Sequence, residues 1–142
     1  MFLGEYAHTI DEKGRLTIPA RFRGELAAGV VVTRGMDRCL TLYPMTEWNR
    51  LAKKGAARPV AARGGGRRRR RVCGGAADVV PDKQGRVLIP PNLREYAKLD
   101  GEVIVTGLHT YIEVWNLESW GKEREDLEQE REQATEWAEL GI

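Results

Sequence analysis

Long hydrophobic runs are missing from this sequence: no apolar stretch approaches the roughly 18 residues that a membrane span needs. The opening Met1-Phe2-Leu3-Gly4-Glu5 turns polar too soon for a secretory signal peptide. Together these predict a cytoplasmic protein with no membrane partner. Catalytic side chains are also scarce. There is one serine, Ser119, and there are two histidines, His8 and His109. No H-E-x-x-H, glycine-rich phosphate loop or nucleophile elbow occurs. Neither catalysis nor a cofactor is expected. Cys39 and Cys73 stand far apart with no C-x-x-C spacing, so structural thiols are expected and a metal site is not. With 142 residues, 42% of them hydrophobic, the chain can build one lean domain or two very small ones.

What is present is unevenly spread. The net charge of +2 hides a basic block, Arg63 with Arg67 to Arg71, and an acidic end. From Glu118 onward nine acids face three bases, Lys122, Arg124 and Arg131. The sequence also repeats. "DEKGRLTIPARFR", residues 11–23, returns as "DKQGRVLIPPNLR", residues 82–94. Asp11, Gly14, Arg15, Ile18, Pro19 and Arg23 recur 71 residues on as Asp82, Gly85, Arg86, Ile89, Pro90 and Arg94. Past the motif the offset reads as 72, matching Gly35 with Gly107, Leu42 with Val114, Tyr43 with Trp115 and Trp48 with Trp120. One inserted residue between the motif and the next strand would account for the change. The division expected is a first copy over 1–50, a Gly/Arg-rich linker over 51–71, a second copy over 72–120 and an acidic helix over 121–142.

Each copy has the same coarse pattern. "YAHTIDEKGRLTIP" predicts a strand, a tight turn and a strand, with the glycine of Asp-x-x-Gly in the left-handed conformation. Leu16 and Ile18, or Val87 and Ile89, alternate with polar neighbours and mark one apolar face. Proline ends the strand and suits the first turn of a helix carrying Phe22 and Leu26, or Leu93 and Ala97. Gly29 and Gly101 stand where such helices would stop. Then come "VVVTRG" with "CLTLYP", and "VIVTG" with "YIEVW". Each copy is therefore β-β-α-β-β, too small to bury a sheet face alone, so the two are expected to share one pseudo-symmetric core. In the final helix Trp120, Leu127, Ala134, Trp137 and Leu140 form a thin seam, suited either to a partner helix or to docking by tryptophan alone. Lys122 with Asp126 and Arg124 with Glu128 are spaced for i,i+4 pairs.

The two Asp-x-x-Gly-Arg motifs, each followed by apolar-x-Ile-Pro and a short helix, resemble the AbrB-like fold of bacterial transcription factors. Two copies in one chain, opening "MFLGEYAHTIDEKGRLTIPARFR" and continuing with "DKQGRVLIPPNLREYAKL" and "IEVWNLESW", resemble the MraZ family over nearly the whole chain. The resemblance implies an α+β fold: two tandem AbrB-like β-β-α-β-β repeats packed into one pseudo-two-fold, β-barrel-like core, plus a C-terminal helix. It implies a nucleoid-associated regulator of double-stranded DNA. Such a protein would bind repeated boxes in the promoter of the division and cell-wall gene cluster. It further implies a homo-oligomeric ring of about eight or more subunits. One segment departs from the pattern. In "RGGGRRRRRVCGGAADVV", Val72 and Cys73 replace the bulky apolar residues expected there, and Cys73 aligns with Phe2. The lost burial would cost a few kcal/mol at roughly 0.8 kcal/mol per methylene.

The arginine after each glycine has two readings. Arg15 could pair with Asp11 across the turn and hold the hairpin, a contribution that is small when exposed. Or Lys13 and Arg15 could reach phosphates or a guanine edge from an exposed tip. The residues alone leave the two level; the resemblance favours DNA. The DNA-binding candidates are Lys13, Arg15, Arg21, Arg23, Lys83 and Arg86, with the first copy the more basic because Asn92 replaces an arginine in the second. The Arg67 to Arg71 block reads either as a flexible arm on the DNA backbone or as a solvated linker; the glycine-rich context favours the linker, and the run would add non-specific nucleic-acid affinity. The acidic helix should avoid DNA. The competing class is a non-catalytic oligomeric assembly or partner-binding protein without specific DNA recognition.

Overall fold

The computed structural model describes residues 1–56 and 63–132. The seam residues Ala134, Trp137 and Leu140 lie outside the described residues. In the first half β1 (Glu5–Ile10) and β2 (Arg15–Thr17) flank the Asp11–Gly14 turn. There follow α1 (Ala20–Leu26), β3 (Val30–Arg34), a 3-10 turn (Met36–Arg38), β4 (Leu40–Pro44) and α2 (Met45–Ala56). The second half runs α3 (Arg63–Val72), β5 (Ala77–Val79), β6 (Arg86–Leu88), α4 (Pro91–Ala97), β7 (Gly101–Gly107), β8 (Ile112–Asn116) and α5 (Leu117–Glu132). Pro19 and Pro90 each stand at the N-cap of a short helix, where a missing N–H costs nothing.

The eight strands form one antiparallel sheet in the order β5-β3-β4-β8-β7-β1-β2-β6. Its two ends, β5 and β6, belong to one hairpin, joined by the Asp82 N–H to the Arg86 carbonyl at 2.9 Å. The sheet thereby almost closes into a barrel. The copies interleave: β1 pairs with β7 of the other half, and β3 with β5. Two further cross-copy pairs, β2·β6 and β4·β8, are centred on Leu16↔Val87 and Thr41↔Glu113. The pseudo-two-fold axis passes through both centres. Neither repeat has a complete sheet of its own, which is how two β-β-α-β-β units acquire one core. That core takes Leu16, Ile18, Phe22 and Leu26 from the first copy and Val87, Ile89, Leu93 and Ala97 from the second, all buried. Each fully buried Leu, Ile, Val or Phe contributes about 1.5–3 kcal/mol.

The register corrects the sequence alignment. His8↔Val103 and Val79↔Val30 occupy equivalent places, so β3 and β7 correspond at an offset of 73 rather than 72. Gly107 therefore matches Arg34 in the ladder, and Gly35 is an extra residue in the first copy's turn. Two residues are gained between α4 and β7, and one is lost in the turn that follows. Gly29 and Gly101 do not end helices either. The helices stop at Leu26 and Ala97, with Lys98 left-handed (φ 52°), and the glycines turn the chain into β3 and β7.

The Gly/Arg-rich segment differs from the expected linker: α2 extends to Ala56, and α3 covers Arg63–Val72. Arginine is a good helix former and outweighs the neighbouring glycines. The segment before β5 contributes little to the core, as expected. Phe2 is fully buried and bridges His109, whereas Cys73 is exposed and pairs with no strand. β5 has three residues against six in β1, and Pro81 stands where β1 has Ile10. The helix α5 docks through Trp120, which lies on Trp115 (centroids 5.6 Å apart) beside buried Cys39; Leu127 is exposed. Along it Lys122 reaches back to Glu118 (3.7 Å) and Arg124 across to Glu5 (3.9 Å).

Candidate nucleic-acid interface

The two hairpin turns are built by the same atoms. In the first, Asp11 Oδ1 accepts the backbone N–H groups of Lys13 (3.0 Å) and Arg15 (2.8 Å), and its carbonyl accepts that of Gly14. In the second, Asp82 Oδ1 accepts those of Gln84 and Arg86, both at 2.9 Å. This is the Asx-turn chemistry that aspartate supplies best. Gly14 (φ 84°) and Gly85 (φ 73°) take the left-handed backbone that closes each turn. The backbone N–H of each arginine, first among several causes, holds the Asp11 and Asp82 carboxyls below the usual carboxylate range.

The second aspartate oxygen binds the arginine side chain. Arg15 Nε donates to Asp11 Oδ2 at 2.6 Å, and Arg86 Nε to Asp82 Oδ2 at 2.9 Å. The two roles weighed for these arginines are therefore compatible. Guanidinium carries five N–H donors, and the aspartate engages the one on Nε. The terminal nitrogens remain, on a side chain whose direction is now fixed.

Cross-copy pairing places both arginines on one face. In β2·β6, Arg15 lies opposite Leu88 and Thr17 opposite Arg86, while Leu16 and Val87 point into the core. Because side chains alternate along a strand, Arg15, Thr17, Arg86 and Leu88 all project outward. Leu88 is 54% exposed in the middle of this basic ribbon. Lys13 and Lys83 are exposed at the flanking turns, but not at equivalent positions: Lys13 corresponds to Gln84, and Lys83 to Glu12.

The remaining candidates do other work as well. Arg23 donates from Nε to the Ile18 carbonyl (2.9 Å) and packs over Gly85 of the opposite copy. Arg94 does the same in mirror fashion, bonding the Ile89 carbonyl (3.1 Å) and covering Gly14. A Cβ at Gly14 would stand 2.7 Å from Arg94 Nε, so close approach as well as backbone angle requires glycine there. These two arginines are latches between the copies. Arg23 stands among the DNA-binding candidates and Arg94 does not, although their recurrence in the motif signals a shared role. Arg21 lies on the exposed side of α1, with Nη1 3.4 Å from the Tyr6 hydroxyl. Burial, then Arg23, lowers the His8 pKa. Thr17 and Leu88 were also missed, because only the pairing of β2 with β6 shows that they share a face with the arginines. Among the described residues no group of His, Cys, Asp and Glu side chains could hold a metal ion, and no helix is long and apolar enough to cross a membrane.

A family model described as "MraZ protein, putative antitoxin-like" matches residues 1–64 and 72–140. This chain belongs to the MraZ family. Proteins called "Transcriptional regulator MraZ" are similar along most or all of their length. That of Herpetosiphon aurantiacus is 52% identical over 120 residues, 84% of each chain. That of Halothermothrix orenii is 46% identical over 143 aligned positions, 100% of each chain. The two parts of the MraZ match include both hairpins and leave out residues 65–71, the arginine-rich part of α3.

Proposed function

We propose that this chain is a DNA-binding transcriptional regulator that reads duplex DNA with the β2·β6 ribbon. The observation that carries this reading is the common outward face of Arg15, Thr17, Arg86 and Leu88, with Lys13 and Lys83 beside it. A two-stranded antiparallel ribbon fits the major groove of B-DNA. The free ends of Arg15 and Arg86 suit the O6 and N7 acceptors of guanine, and the lysines suit flanking phosphates. The aspartates add orientation, so less side-chain freedom is lost on binding. The transcriptional-regulator name carried by full-length relatives supports the same reading.

The finer assignment follows the family. The target is a set of repeated boxes in the promoter of a division and cell-wall gene cluster. The protein acts in the cytoplasm at the nucleoid, as a homo-oligomeric ring without catalytic activity. One ribbon touches DNA at few points, so a ring presenting several ribbons to several boxes gains through effective concentration. Binding then weakens steeply with salt, with a slope of roughly 0.9 per phosphate neutralised. The test is a mobility shift on the fragment upstream of the chain's own gene. Arg15→Ala is expected to abolish the shift while the elution volume in size exclusion stays unchanged. A wild-type protein that shifts no fragment specifically, even at low salt, would instead mark an assembly protein without specific DNA recognition.

A further inference from the structure

A second basic site lies away from the ribbon, where the second copy departs most from the first. In the first copy's half of the barrel, the backbone at Phe2 and Leu3 runs so close to Gly107 that a Cβ there would stand 2.5 Å from the Phe2 carbonyl carbon. In the other half the ladder puts Arg34 at the position of Gly107, and among the described residues no strand or bridge matches the Phe2 segment. The end of α3 and the turn after it come there instead. Arg34 Nη2 donates to the Arg71 carbonyl (3.3 Å), and a Cβ at Gly75 would stand 2.5 Å from Arg34 Nε.

Three guanidinium groups gather at this place. Arg71 Nη2 reaches the Tyr96 hydroxyl (3.2 Å) and the Gly35 carbonyl (3.4 Å), and the Tyr96 hydroxyl itself donates to Gly35 (2.8 Å). Arg38 lies over the Tyr96 ring, 5.1 Å from its centroid. Two successive left-handed residues, Asp37 (φ 61°) and Arg38 (φ 63°), hold it there, a backbone conformation that costs energy for non-glycine residues. Arg34 completes the group, its Nε buried with no hydrogen-bond partner. Among the described residues none of the three forms an ion pair. Asp37 adjoins Arg38 in sequence but forms no ion pair with it; burial first, and Asp37 after it, raises the Glu123 pKa. Exposed Arg67, one helical turn before Arg71, extends the positive face along α3.

Like charges drawn together with no ion-pair partner favour an anion, and planar guanidinium matches phosphate best. We propose that Arg34, Arg38 and Arg71, gathered on Tyr96, form a second phosphate-binding site that grips the DNA backbone without reading sequence. The inference rests on the DNA reading of the ribbon and adds to it a clamp belonging to this chain, because Arg71 lies in the segment left out of the MraZ match. The acidic helix α5 of a second copy is a weaker fit, since Lys122 and Arg124 already offset part of its charge.

The experiment uses the full-length chain and two labelled duplexes of equal length, one carrying the upstream fragment and one scrambled. Affinity is measured by anisotropy from 50 to 200 mM KCl for wild type, Arg38→Ala and Arg38→Ala/Arg71→Ala. Arg38 is exposed, so the single variant tests the site even if the double variant fails to fold. Both duplexes are expected to weaken by the same factor, with the preference between them kept. The salt slope should fall by roughly 0.9 for each phosphate that is no longer neutralised, about a threefold smaller change across this salt range for each. Unchanged slopes in a folded variant overturn the proposal, as does weakening confined to the box-bearing duplex. Two controls identify other occupants. Protection of wild type but not Arg38→Ala by inorganic phosphate against heat, with unchanged duplex slopes, assigns the site to free phosphate. A smaller oligomer with unchanged slopes assigns it to the acidic helix of a second copy. Either result overturns the backbone clamp. A wild-type protein that binds neither duplex refutes the ribbon reading itself, which separates the two failures.

Discussion

Asp11 and Asp82 each hold a turn with one oxygen and aim an arginine with the other. Substitution by asparagine keeps an oxygen for the backbone N–H groups and removes the charge that orients the guanidinium. Asp11→Asn is therefore expected to weaken DNA binding several-fold in anisotropy while shifting the urea midpoint little. The same carboxyls shape acid stability. Their pKa values are lowered in the folded chain, so protons bind more readily to the unfolded chain as pH falls. Their contribution is complete above about pH 4, the ordinary carboxylate value, and drains away below it. His8, also lowered, adds a loss that begins lower than about pH 6.5. Urea midpoints between pH 7 and 3 should fall in two stages, and Asp11→Asn/Asp82→Asn should flatten the lower one. Gly14→Ala meets both a left-handed backbone and the Arg94 side chain, and is expected to cost about 1–3 kcal/mol. Thermal melts of Gly14→Ala with and without Arg94→Ala separate the two costs, because only the steric part is relieved.

Among the elements, those with a local signal were legible in the sequence. Aspartate, glycine and proline placed both hairpin turns and the starts of both short helices, because each position needs one residue's special geometry; the helix ends, assigned to Gly29 and Gly101, fall earlier. The elements that depend on distant partners were not. The offset between β3 and β7 is set by cross-copy pairing, and three similar residues, Val30, Val31 and Val32, fit more than one register. The arginine block read as a solvated linker because glycine and charge dominate its composition, whereas α3 is held at its end by Arg34 and Tyr96. At the candidate site, Arg15 and Arg86 were visible as repeated charge and Lys13 as a charge in the turn, while Leu88 became informative only once β2 lay beside β6. The docking of α5 gives a prediction of its own. Trp115 Nε1 donates to Glu113 (3.1 Å), but Trp120 Nε1 is buried without a partner. Trp120→Phe removes an unsatisfied donor, and Trp115→Phe removes a satisfied one. The second should lower the urea midpoint more than the first, with the m-value unchanged.

For the whole molecule, the interleaving of the copies decides how it folds. β1 pairs only with β2 and the other copy's β7, and β3 depends on β5 for one of its edges. A fragment of residues 1–50 would expose Leu16, Phe22, Val30 and Leu42 together, and circular dichroism should show it largely unfolded. The intact chain should unfold in one transition by fluorescence and by circular dichroism. The same interleaving brings two hairpins into one ribbon, so the arginine motif occurs twice because both copies contribute to a single face. The most direct test of that claim is dimethyl sulfate protection of guanine N7 on the upstream fragment, since N7 lies in the major groove. Wild type is predicted to protect guanines in repeated boxes, and Arg15→Ala and Arg86→Ala to lose that protection with oligomer mass unchanged. Protection that persists in both variants would contradict the ribbon as the reading element.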